Sequence, residues 1–472
     1  MGIVDYIVIV IYMAAMLGIG FYSKGQINTM DDFILGGQRF NKFALTGTIL
    51  ATMIGSGMVM GATGSVYTSG AGGSTLWIYA GFAIGLITLG FMSKGIRRTG
   101  GKSLSEVVST AFGVKARLAS AIVVVLYAGA LVALNIAGLK TLIIYAFGDT
   151  LQMSNTTATI IATVIPIIFT AMGGFYAVVW TDTAQLVIMI VGLFIIGPII
   201  GLSAAGGVDT VAATYASEGM SLTNPFENGV SSVMIGFMLA YFLASPGDPT
   251  MPQRVLSAKD DQTAKVSFVT SGCIAAYFGI ALLLIGGAIH VLIPGIENSD
   301  SALPLFILEY YPPVLRGIAI AGLIAAIMSS FDSFLILATT HIMYDIGRVI
   351  NPELSEEKIA KALPKLTVLL GVLGLVVALF ITSLLGYLSM VFSIVGSSLV
   401  PVLFAAVYFR EHTSKIAATL SIIAGAVVPA VLYLTVGYDV PLGDPVFMGL
   451  LSSMVVLIGG SFILKDKPEK LA

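Results

Sequence analysis

Thirteen apolar runs, most of them long enough to cross a bilayer, follow one another along this chain and leave little sequence between them. They fall at about 4–22, 44–68, 75–95, 118–147, 155–173, 177–204, 230–248, 267–293, 314–344, 366–383, 386–409, 415–437 and 445–464. About 20 apolar residues are needed for one helical crossing. Hydrocarbon offers no water to unpaired backbone groups, so only helices and closed barrels span it, and runs this long are helical. Punctuation is weakest at 173–177 and 383–386. Composition agrees: 10% of residues are charged, against about 25% in a soluble domain. The net charge of −2 excludes a basic nucleic-acid binder, and the single Cys273 excludes a disulfide framework or a cysteine metal cluster. The sequence therefore predicts an all-α polytopic membrane protein, residues 1–472 forming one domain.

Charge sets the expected orientation. Of the 23 Lys and Arg residues, 21 fall on alternate connections, and only Lys140 and Arg316 fall elsewhere. Basic connections face the cytosol. Thirteen spans then put the N-terminus outside and the C-terminus in the cytoplasm of a multi-pass cell-membrane protein. The first run has Asp5 where a signal peptide would be basic, and it ends at Ser23-Lys24 without a small-residue cleavage pattern. It is expected to stay as a helix.

Charged side chains deep in a bilayer are expensive and mark functional sites. Of 25 acidic residues, only Asp182 and Asp332 lie well inside predicted spans. Both map to the inner half of the membrane, where they could share a site; the plain alternative is a water-facing carboxylate. Beside Asp332, residues Ala326, Ser329, Ser330 and Ser333 recur on one helix face. Such a face can glue helices together or offer oxygens to a hard cation. The second run carries Gly55, Gly57, Gly61 and Gly64. These glycines allow either a close helix crossing or an unwound stretch whose carbonyls bind sodium. The seventh run ends in Ser245-Pro246-Gly247-Asp248-Pro249, a second expected break. Each broken run opens a block of five, 2–6 and 7–11, and an odd block length inverts the second block relative to the first.

These features resemble the sodium:solute symporter family, which includes proline, pantothenate, sialic acid and glucose carriers. The likeness rests on Phe33-Ile34-Leu35-Gly36-Gly37-Gln38-Arg39, on Gly173-Gly174-Phe175-Tyr176-Ala177-Val178-Val179-Trp180-Thr181-Asp182, on Gln253-Arg254, and on Ala325-Ala326-Ile327-Met328-Ser329-Ser330. It implies a LeuT-like 5+5 inverted-repeat core over about 44–409, one helix before it (4–22) and two after it (415–464). It also implies Na+ as coupling ion, held by the carbonyls of Ala51, Ile54 and Ala326 and the hydroxyls of Ser329 and Ser330. A second cation in some members would correspond here to Asp182, Ser329, Asp332 and Ser333. At Asp332 those members carry a hydroxyl residue, so this chain departs from them.

Positions that bind sugar in the glucose branch fall on Met58, Tyr241 and Ala244, and no arginine lies near Leu134-Asn135, where sialic acid carriers place one. Pocket walls are expected at Gly55, Ser56, Gly57, Met58, Tyr241 and Ser245, small and weakly polar. They suit a compact solute with an apolar part, an amino acid or a short monocarboxylate. The expected function is sodium-coupled import by alternating access, in a protein that is not an enzyme and shows no sign of an obligate protein partner. Proton coupling through Asp182 and Asp332 is the near alternative, and a passive channel the distant one. Lys140 can reach the interface, Arg316 is expected to be interfacial, and His290, His341 and His412 lack metal-ligand spacing.

Overall fold

A computed structural model describes residues 1–24, 30–70, 75–151, 153–170, 174–222, 224–226, 232–438, 440, 443–464 and 466–468. Gly173 at the expected 173–177 join, and Lys465 and Lys470 of the basic tail, lie outside these residues. Among the described residues all regular secondary structure is helical, apart from an isolated bridge between Phe40 and Ala258.

The membrane-crossing candidates are α1 (Ile3–Lys24), the bent pair α2 (Lys42–Met53) and α3 (Ala62–Ser69), α4 (Thr75–Arg98), α5 (Val114–Leu151) and α6 (Asn155–Thr170). Then come α7 (Phe175–Met189) and α8 (Ile196–Ala205), joined by a π-helical turn at Ile190–Ile195. The break-related pair α9 (Ser232–Gly247) and α10 (Thr250–Ser257) precedes α11 (Asp261–Leu292) and α12 (Leu315–Thr340). The series ends with α13 (Glu356–Ala378), α14 (Leu384–Tyr408), α15 (Lys415–Thr435) and α16 (Pro445–Ile463). Among the described residues, ten helical stretches are long and apolar enough to cross a membrane alone; α2 with α3 qualifies as a bent pair, and Asn155–Ile168 and Met234–Gly247 are shorter apolar helices.

Helix ends follow local chemistry. Asn41, Asp260, Ser355, Ser383, Ser414 and Asp444 each accept a backbone N–H at a helix start, satisfying a donor the helix leaves unpaired. The weakly punctuated join at 383–386 is resolved this way: α13 stops at Ala378, and Ser383 accepts the Gly386 N–H at 3.2 Å to start α14. The tenth run begins earlier than its apolar part, because Glu356 and Glu357 occupy a first turn that hydropathy does not register.

Helix α12 is the axis of the molecule, its apolar window wholly buried, whereas those of α1 and α16 are 22% and 28% buried. It packs on α5, α7 and α2, while α4 packs on α9 and α11. The bent second helix thus meets the hydroxyl-bearing face of α12, and the short α10 reaches that face through Arg254.

Candidate functional site

The break in the second run is real and sharp: α2 and α3 are bent by 67°. Ile54 leaves helical geometry at φ −91°, ψ 65°, and a π-helical turn follows at Gly57–Gly61. Gly55 is required here by space, since a Cβ would lie 2.9 Å from Ser330 Oγ and 3.1 Å from Asn135 Oδ1. The second break falls between α9 and α10, where Pro246 and Pro249 cannot supply N–H groups.

At the first break, α2 presents its terminal carbonyls to α12. Ser329 Oγ donates to the Ala51 carbonyl at 2.9 Å and to that of Ala326 at 3.1 Å. Ser330 Oγ reaches the carbonyls of Thr52 at 2.8 Å and Ala326 at 3.2 Å. Ala51, Ala326, Ser329 and Ser330 are therefore brought together, with Thr52 as an added carbonyl; buried Ile54 stands one turn on, at the break itself. Every donor atom is a neutral oxygen. A hard monovalent cation fits this set: the carbonyls would turn from hydroxyl protons to the ion, and the serine lone pairs would complete its shell.

The expected second set divides. Asp182 Oδ2 on α7 accepts Thr48 Oγ1 at 2.6 Å and Thr52 Oγ1 at 3.1 Å. Ser333 Oγ lies 2.9 Å from Thr52 Oγ1, so Asp182 and Ser333 share one cluster. Asp332 turns instead to α6, accepting from Thr170 at 2.5 Å. Ser329 remains with the first set. Arg254, which sequence reasoning put in a connecting loop, is fully buried inside the second set and pairs with Asp182 at 3.3 Å. The loop assignment fails because α10 is the short far half of a broken helix. Its eight residues, Gln253 and Arg254 among them, are too few and too polar to register as an apolar run.

Beside the first set lies a cavity of about 20 Å³, room for a single water. Of the residues proposed from sequence for the pocket wall, Gly55, Gly57 and Met58 line it. Ser56, Tyr241 and Ser245 do not: Ser56 bonds to Asn135 and the Leu134 carbonyl, Tyr241 to Ser389 at 3.1 Å, and Ser245 to the Phe82 carbonyl at 3.0 Å. The wall includes Asn135, Asp248, Phe82 and Phe392, which the sequence reading did not select. Proximity of Asp248 to a broken-helix end was visible in the Pro-Gly-Asp-Pro string and was the available signal. Ser330 belongs both to the cavity wall and to the cation set.

Two contacts tie helices together outside this cavity's wall. In one, Asp300 Oδ2 accepts the Leu384 N–H at 2.9 Å. In the other, Arg97 donates to the Val255, Leu256 and Ala258 carbonyls that end α10, at 3.0, 3.2 and 2.7 Å, and pairs with Asp261.

The profile of the Sodium:solute symporter family matches residues 33–425. This chain belongs to that family. Its coupling ion is sodium, and the symporter is embedded in a membrane through many apolar helices. The chain is 24% identical to the sodium/sialic acid symporter SiaT of Proteus mirabilis, covering 98% of this chain and 94% of that one. It is 25% identical to the osmoregulated proline transporter OpuE of Bacillus subtilis, covering 98% and 94%. With the sodium/pantothenate symporter of Escherichia coli it shares 24% identity, over 98% and 97%. The fold matches the substrate-bound outward-open state of a Na+-coupled sialic acid symporter with a TM-score of 0.82 at 23% identity, over 99% of both chains. It matches the nucleobase-cation-symport-1 transporter Mhp1 with a TM-score of 0.62 at 14% identity, over 92% and 94%.

Proposed function

We propose that this symporter imports a compact amino acid, using sodium bound between the broken second helix and α12. Ser330 carries the reading: one hydroxyl touches the cation set and lines the solute cavity, so the ion orders the wall that the solute contacts. Asp248 favours an amino acid over a monocarboxylate. Its Oδ1 is taken by the N–H and hydroxyl of Thr250, at 2.9 and 2.8 Å, and the residue lines the cavity, where an ammonium would neutralise it. Phe82, Phe334 and Phe392 would supply apolar walls for the side chain once this water-sized cavity widens to admit it. The solute carboxylate would meet backbone N–H groups at the start of a half-helix.

In this reading thirteen helices cross the membrane, with α2 to α14 forming a 5+5 inverted repeat, the N-terminus outside and the basic connections in the cytosol. Alternating access then opens the Asp300–Leu384 end and the Arg97–α10 end in turn. Each sodium drawn inward gains about 2.3 kcal/mol per 100 mV, about 50-fold in solute accumulation. A second cation is also part of the proposal, because three buried carboxylates, Asp182, Asp248 and Asp332, stand against one buried guanidinium, Arg254. The same imbalance supports a proton as that second cation.

Uptake into proteoliposomes tests this directly. A panel of labelled amino acids and monocarboxylates is offered under an inward sodium gradient, under potassium alone, and under a proton gradient alone. Accumulation of at least one amino acid in the sodium arm only is expected. Equal accumulation in potassium would sink sodium coupling, and accumulation of monocarboxylates alone would remove the role given to Asp248.

A further inference from the structure

Arg254 is the largest fully buried side chain among the described residues, and oxygens surround its guanidinium. Nη2 is ringed by four oxygens: Thr48 Oγ1 at 2.9 Å, Thr52 Oγ1, Ser333 Oγ at 3.0 Å and Asp182 Oδ2 at 3.3 Å. A guanidinium nitrogen carries two hydrogens, so it cannot bond all four at full strength. Four converging oxygens, one of them anionic, exceed what a hydrogen-bond donor can use and suit a desolvated monovalent cation. The ring is built by three helices, α2, α7 and α12, while the arginine reaches in from a fourth, α10. Asp182 Oδ1 is buried and without a partner, leaving further capacity for positive charge on the same carboxylate. Elsewhere the guanidinium is lightly held: Nε donates to Thr48 at 3.1 Å and Nη1 to the carbonyl of Thr250, in its own helix, at 3.1 Å.

We propose that the Arg254 guanidinium is a tethered counter-cation occupying the second ion position, and that sodium reaches Asp182 and Ser333 only by displacing it. The inference rests on the two-cation reading above. Two cations within one ring of four oxygens repel each other in a medium of low dielectric, so occupancy is exclusive. With no second sodium, Arg254 neutralises Asp182 and pins α10 against α2, α7 and α12. When sodium enters, the arginine leaves and that pin is lost. The Arg97 latch on the last carbonyls of α10 and the bond from Gln253 to the Ile34 carbonyl then hold this end closed. Capture of the second ion thereby primes release of the solute, and a transporter lacking the ion stays shut at this end.

The test is sodium titration of the full-length protein in nanodiscs, read by thermal stability and by 22Na binding, in wild type, Arg254→Gln and Asp182→Asn. The first sodium step, at Ser329 and Ser330, should appear in all three. The second step should move to at least tenfold lower sodium in Arg254→Gln, return toward the wild-type midpoint when guanidinium chloride is added at millimolar concentration, and vanish in Asp182→Asn. An unmoved second step, or its absence from both wild type and Arg254→Gln, overturns the inference while leaving the first site standing. No sodium step in any protein overturns sodium coupling and the inference together. Should Arg254→Gln not fold, the native arginine is kept and Ser257→Cys is made in a Cys273→Ser background. Ser257 is buried, and its hydroxyl donates to the Arg254 carbonyl. Sodium should speed labelling of that cysteine by a small thiol reagent several-fold over potassium, and an unchanged rate overturns the proposal.

Discussion

Two clusters join α2 to α12 within a few turns of each other, and they are built on opposite plans. One of them, Ala51, Thr52, Ala326, Ser329 and Ser330, contains only neutral oxygens, and two serine hydroxyls are shared among its three carbonyls. The other, Thr48, Thr52, Asp182, Arg254 and Ser333, contains a carboxylate and an internal cation. A neutral cage can lose its ion at little cost, because hydroxyl hydrogens rotate back to the carbonyls. A charged cage cannot be left half-filled, because a buried ion without its partner is strongly destabilising. Coupling by the first cluster is therefore a matter of affinity, and coupling by the second a matter of exchange between cations.

Breaking the second cluster should have the largest effect. Asp182→Ala removes the carboxylate and leaves a fully buried guanidinium without its anion. The expected loss of folding stability is about 3–5 kcal/mol, read as a lower thermal midpoint in detergent, and pairing it with Arg254→Met should recover most of that loss. A double variant no better than the single one would show that the pair is not the unit assumed. Next in size is the neutral cluster. Ser329→Ala with Ser330→Ala deletes two ligands and leaves the Ala51, Thr52 and Ala326 carbonyls without their hydroxyl donors. Sodium affinity should fall about 10- to 100-fold, or about 1.4–2.8 kcal/mol, while stability changes less than in Asp182→Ala. Asp332→Asn sharpens the contrast: it keeps the bond to Thr170 but removes an unbalanced charge. The sodium dependence of uptake should fall from a Hill slope near two toward one, and an unchanged slope would take Asp332 out of the coupling.

The neutral cluster was legible in the sequence and the charged one was only half so. Serines at helical spacing on one apolar run and glycines on another suggest a close polar contact between two helices, and the structure packs Ser329 and Ser330 of α12 against α2. Asp182 and Asp332 stood out as carboxylates inside apolar stretches. Arg254 did not, because a broken helix hides its polar half: α10 reads as a loop until its packing is seen. The three hydroxyls expected in the pocket were assigned by position along a helix, yet Ser56, Tyr241 and Ser245 face neighbouring helices. Rotation about a helix axis is set by packing partners that a single run of sequence does not contain. Asp332 shows the same limit, since its carboxylate chose Thr170 of α6 over the serines beside it.

The smallest expected effect concerns the closure farthest from both clusters. Asp300 sits in a short turn between α11 and α12, where burial raises its pKa and the Leu384 N–H partly opposes that rise. Its folded-state pKa therefore lies above the ordinary aspartate value of about 3.9. For such a group, the favourable contribution is complete below the unfolded pKa and is lost as pH rises through the folded one. Asp300→Asn keeps an oxygen for the Leu384 N–H and removes the titration. The variant should match the parent in acid and exceed it at neutral pH by no more than about 1 kcal/mol, flattening the pH dependence of the thermal midpoint above about pH 4. Sodium affinity should not move, because the turn touches neither cation cluster. A variant that loses stability at neutral pH would mean that the ionised carboxylate, through its bond to the start of α14, is what holds this end shut.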